Sequence, residues 1–184
     1  MAAVPSMLDL TVTSSSYMSS TITFHSKSAV ESALGITQPT WEHYRTYCQG
    51  LAAGADIASI LSASEQQMAC NACGNRRCYI GATQTGTQEG FEGYAWADGS
   101  SWTYTHEDND GARNLNENVI AIRDDGLVCT WDDFGQFDRY IGFGGAGGGA
   151  LCKALSICST CDICSPHSTC TTSGRTASCT CTGQ

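Results

Sequence analysis

Basic residues are scarce in this chain: nine Lys and Arg stand against eighteen Asp and Glu in 184 residues, which gives a net charge of -9. That deficit excludes a nucleic-acid partner, because phosphate contacts need Lys and Arg. A long apolar run is missing as well. Met1 to Thr13 has no basic leading segment, and Asp9 interrupts its apolar stretch, so it reads neither as a secretory signal nor as a membrane span. Catalytic signatures are also absent. There is no Gly-x-Ser-x-Gly elbow and no His-Glu-x-x-His, and His25, His43, His106 and His167 stand isolated, so the chain is expected not to be an enzyme.

What it has in excess is cysteine. Twelve Cys, dense after Leu151, exceed what a reducing compartment accounts for, and most are expected in disulfides. The expected location is therefore extracellular or cell-surface. With no export signal in the residues given, the chain is expected to be a piece of a longer protein. Its length allows one domain with a real core, plus small appendages that need staples.

Residues 1–38 are a Ser/Thr-rich N-terminal segment that stays unassigned. Within it, 8–12 and 21–24 alternate like short strands, and 28–35 suits a short helix ended by Gly35. Order is clearer from Pro39. Thr40 suits the cap of a helix whose apolar face is Trp41, Tyr44, Cys48 and Leu51, with Glu42 favoured in its first turn and Gly54 as a stop. Ile57 and Ile60 read as a buried extended segment. Ser62 with Glu65 forms a capping box for a second helix. From Cys78 the pattern changes to short β-rich runs at 78–81, 91–96, 119–122 and 127–131, separated by Gly, Asp and Asn. The fold class is therefore α+β, and the Gly-rich stretch 142–149 reads as a loop.

Several of these pieces, taken in order, resemble the C-type lectin-like domain over residues 39–154. They are Trp41 through Cys48, Ala58-Ser59-Ile60 with Glu65, Tyr79-Ile80-Gly81, Trp96-Ala97-Asp98-Gly99-Ser100, and Trp131-Asp132-Asp133 followed by Cys152. The resemblance implies two helices packed on small antiparallel sheets, a long ligand loop, and a disulfide between Cys48 and Cys152. The family's second bridge would fall at Val119 and Gln136, so both partners are absent. Cys70, Cys73, Cys78 and Cys129 are extra, and the sequence does not choose their pairing. Residues 158–184 resemble a partial EGF-like module: Cys164, Cys170, Cys179 and Cys181 match its second to fifth cysteines, which implies a Cys164–Cys179 bridge.

Between Tyr104 and Glu117 lies a dense run of oxygen donors: Glu107, Asp108, Asn109, Asp110, Asn114 and Asn116. Calcium takes six to eight oxygens from a loop able to wrap it. The resemblance implies a calcium site at Glu107, Asn109, Glu117, Asp132 and Asp133, with Glu107, Asn109, Glu117 and Asp132 also meeting the sugar. The family's central Pro is absent from Glu107-Asp108-Asn109, and a non-proline cis bond there costs about 3 kcal/mol. Trp96 and Trp131 are expected in the core, and Trp102 is the aromatic left for ligand stacking. The expected function is an extracellular recognition or adhesion domain that binds a glycan or glycoprotein with calcium. The alternative is a calcium-independent domain that binds a protein partner or builds a larger assembly.

Overall fold

The structure, a computed structural model of the chain, describes residues 19–85, 93–106, 117–124, 129–135, 147–156, 168–173 and 176–181. These fall into two units. The larger, Ser20–Ser156, opens with β1 (Ser19–Ser26) and α1 (Lys27–Leu34), followed by α2 (Trp41–Leu51), β2 (Asp56–Ile57) and α3 (Ala63–Cys73). The strands β3 (Arg77–Gln84), β4 (Tyr94–Trp96), β5 (Val119–Asp124), β6 (Cys129–Phe134) and β7 (Gly149–Ser156) complete it. In the other unit β8 (Ser168–Ser173) and β9 (Thr176–Cys181) pair antiparallel, with Cys170 opposite Cys179. The larger unit thus begins well before residue 39, because β1 lies next to β7 in the sheet and α1 buries Val30.

Local signals explain the helices. Ser26 caps α1 by accepting the Ala29 N–H, and Gly35 ends it at φ 66°, a left-handed conformation that suits glycine. At α2 the cap is reciprocal: Thr40 Oγ1 takes the His43 N–H, and His43 Nδ1 takes the Thr40 N–H at 3.0 Å. Trp41, Tyr44 and Cys48 are buried as expected. Leu51 is not. It is 45% exposed, because α2 ends there and the chain turns away through Ala52 toward β2.

Ser62 caps α3 through the Glu65 N–H, but the other half of the expected box is absent. The Glu65 carboxylate instead takes the Leu61 N–H at 2.8 Å, the Ser20 hydroxyl at 3.0 Å and the Lys153 ammonium at 2.7 Å. A charged partner binds a carboxylate more strongly than a neutral N–H does.

The class is α+β as expected: among the described residues of the larger unit, three helices pack with a mixed, mainly antiparallel sheet. Strand order is β1-β7-β3-β5-β6, with β2 joined to β7 and β4 to β3. The β3–β7 pair is parallel, because β7 returns to the middle of the sheet along β3. Alternation divides the core. Cys78, Ile80, Ile120, Ile122 and Trp131 pack with Ala69 and Cys73 of α3, while Tyr79, Val119, Ala121 and Phe134 pack with Trp41, Tyr44 and Cys48 of α2. Val119, where the family carries a cysteine, is therefore an ordinary core residue. Gly81 is required by close approach, since a Cβ there would lie 2.8 Å from the Ile57 carbonyl oxygen.

Three disulfides staple this unit: Cys48–Cys152, Cys70–Cys129 and Cys73–Cys78, with sequence separations of 104, 59 and 5. The first joins the end of α2 to β7. The second joins α3 to the start of β6, and Gln66 reinforces it by donating to the Cys129 carbonyl at 3.0 Å and accepting from Trp131 Nε1 at 2.8 Å. Cys70 and Cys73, whose pairing the sequence left open, are thus each bonded in a disulfide. The Trp96–Ser100 turn is a hub: Ser59 Oγ donates to Asp98, Arg45 donates to the Ala97 carbonyl, and the Ala97 N–H donates to Gly81.

Candidate functional site

The acidic residues of interest lie where β4, β5 and β6 adjoin. β5 and β6 pair with Ile120 opposite Asp133 and Ala121 opposite Asp132. Successive residues of a strand leave it on opposite faces, so Asp132 and Asp133 diverge. Asp132 lies on the face of Ala121, with its carboxylate 3.8 Å from Arg123. Asp133 is 7% exposed and lies on the face of Ile120 and Trp131.

Glu117 precedes β5 and is half-buried. Its carbonyl accepts a hydrogen bond from the Tyr94 hydroxyl at 2.6 Å, and the next carbonyl, of Asn118, accepts from the Gln84 N–H at 2.9 Å. Burial, then the negative charges of Asp133 and Glu117, push the Tyr94 phenol well above its ordinary value. Asn118 Oδ1, next in sequence to Glu117, is buried without a hydrogen-bond partner, an arrangement that carries a desolvation cost unless a donor or cation meets it.

Of the expected ligands, Glu117 lies just before β5, Asp133 lies on the Ile120 face of β6, and Asp132 is turned toward Arg123. Glu107 and Asn109 lie outside the described residues, as does Cys164, while Cys179 is described only as a position in β9. Among the described residues no group of three His, Cys, Asp or Glu is placed to hold a metal ion. Trp102 is half-buried, stacked on Trp96 at 4.7 Å between ring centroids and edge-on to Trp131 at 5.9 Å. Tyr104 follows on the same side, 5.9 Å from Trp131, and the Trp131 N–H reaches the His106 carbonyl. Sequence reading missed Tyr94 and Asn118. Tyr94 looked like one more aromatic of a strand, and only its contact with Glu117 reveals more.

No family model matches the chain, and no curated protein matches it. Solved structures do. The C-type lectin domain of murine dendritic cell inhibitory receptor 2, solved in complex with an N-glycan, is 17% identical over 64% of this chain and 83% of its own, with a TM-score of 0.52. Human lithostathine is 13% identical over 84% of this chain and 99% of its own, with a TM-score of 0.56. A calcium-independent type II antifreeze protein is 18% identical over 74% of this chain and 86% of its own, with a TM-score of 0.50. At such identities the likeness is one of fold, and these neighbours, with the helices, mixed sheet and three disulfides, give this chain the C-type lectin-like fold.

Proposed function

We propose that the chain is an extracellular recognition domain that binds carbohydrate through calcium. The observation that carries this reading is the orphaned buried oxygen of Asn118, next in sequence to Glu117, whose main chain is held by Tyr94. Carboxylate and amide oxygens are the donors a hard cation takes. Glu107 and Asn109 would supply further oxygens, and the half-buried Trp102 would stack on a sugar. A glycan is the partner of at least one fold neighbour. The adhesion role and the EGF-like module at 158–184, with its Cys164–Cys179 bridge, belong to the same proposal. Domain limits of 39–154 and 158–184 are proposed in the same sense, with residues 20–38 joined to the first through β1 and α1.

A glycan array probed with and without a chelator tests the reading. Binding is expected only with calcium, at a calcium dissociation constant on the order of 10⁻⁴ to 10⁻³ M. Asp133→Ala is expected to abolish it while the bridged core stays folded. A second reading has its own support: Asp132 is engaged by Arg123, and one fold neighbour is calcium-independent. Binding that survives chelation, or that the Asp133 variant retains, would establish a calcium-independent domain.

A further inference from the structure

We infer that Arg77 and Arg123 form a subsite for an anionic substituent, a sulfate or a carboxylate, on the bound glycan. This rests on the carbohydrate reading above and names the class of glycan, an acidic one. The two arginines stand directly opposite each other in the antiparallel β3–β5 pair, and Arg123 in turn stands opposite Thr130 of β6. Residues paired in this way leave the sheet on the same face, with Cβ atoms about 5 Å apart. Arg77, Arg123 and Thr130 therefore make one row across three strands. Both arginines extend toward the same stretch of β6: the Arg77 guanidinium lies 5.4 Å from the centre of the Phe134 ring, and that of Arg123 lies 3.8 Å from the Asp132 carboxylate. Asp132 and Phe134, two residues apart, share that face.

Like charges set directly opposite in a sheet repel, and on this face β6 offers a single carboxylate, Asp132, to two guanidiniums. The imbalance is local. Lys27, Arg45 and Lys153 each meet a carboxylate, of Glu31, Asp56 and Glu65 in turn, whereas Arg77 meets none among the described residues. This occurs in a chain with twice as many acidic as basic residues. A guanidinium is planar and carries five donors, a fork that matches two oxygens of a sulfate or carboxylate, and Asp132 alone cannot occupy the donors of both. The Arg123 side chain is 42% exposed and Arg77 is half-buried, so solvent reaches the row. An anion seated there would relieve the repulsion between the arginines and add charge-assisted hydrogen bonds.

A glycan array in calcium, carrying pairs of glycans that differ only by one sulfate or one carboxylate, tests this. The acidic member is expected to bind in preference, and the preference to shrink as salt rises. Arg77→Gln and Arg123→Gln, each made in the full chain, are expected to lower the acidic-to-neutral ratio roughly tenfold, as loss of a charge-assisted hydrogen bond typically gives. Partial unfolding would weaken both members alike and leave the ratio in place. A preference confined to sulfate or to carboxylate upholds the subsite and identifies its substituent. Equal binding of the two members by the unsubstituted chain, or a ratio unchanged in both variants, overturns this inference alone. No glycan bound at all overturns the carbohydrate reading and this inference with it.

Discussion

At the scale of single residues, the most consequential buried charge is Lys153, 8% exposed in β7. Its ammonium meets Glu65 at 2.7 Å and the Ser59 carbonyl at 3.0 Å, so α3 and the segment after β2 are fastened to one strand. Burial alone pushes the Glu65 carboxyl up, but the bonds from Lys153, Leu61 and Ser20 outweigh it and hold the carboxyl below its ordinary value. A carboxyl depressed in the fold binds its proton more readily once unfolded, so acid favours unfolding. The contribution is complete above the ordinary value of 4.5 and is lost as pH falls through the lower folded value. Glu65→Gln is therefore expected to cost about 3 kcal/mol near neutrality, since it leaves Lys153 buried without a countercharge. Urea midpoints of the two proteins should converge in acid. Glu65 was legible in the sequence as a helix-start residue. Its partner was not, because no local pattern joins residues so far apart in the chain.

Elements were legible to the degree that their signals were local. The Thr40 cap, the spacing of Trp41, Tyr44 and Cys48, and the Ser62 cap all lie within a few residues of what they control, and α2 and α3 follow them. Thr40→Ala is expected to lower stability by about 1 kcal/mol, read as a shift in the thermal midpoint, because the His43 N–H loses its acceptor. β1 and α1 gave weaker signals, since a short amphipathic piece acquires its place from the neighbour it covers. The parallel β3–β7 pair was not legible at all, because its register is settled by contacts between residues about seventy positions apart. The site shows the same division. Glu117 and Asp133 stood out as oxygen donors, yet the opposite facing of Asp132 depended on strand pairing.

For the molecule as a whole, the bridges matter more than any one contact. Cys48–Cys152 encloses most of the larger unit, and in the chain-entropy account a loop of that size stabilises by about 4 to 5 kcal/mol. The double variant Cys48→Ala, Cys152→Ala is expected to lose an amount of that order by urea titration. The shorter Cys73–Cys78 loop should contribute nearer 2 kcal/mol on the same scale. The three bridges are also concentric in sequence: Cys73 and Cys78 lie inside the span of Cys70 and Cys129, which lies inside that of Cys48 and Cys152. Six thiols can pair in fifteen ways, but a concentric set can be oxidised outward from the centre without one loop threading another. The innermost bridge needs only a local encounter, whereas the outermost has to wait until β7 has docked, so oxidation of Cys48 would report completed assembly. These six thiols also consume one another, which leaves the six cysteines after Cys152 to find partners among themselves or elsewhere.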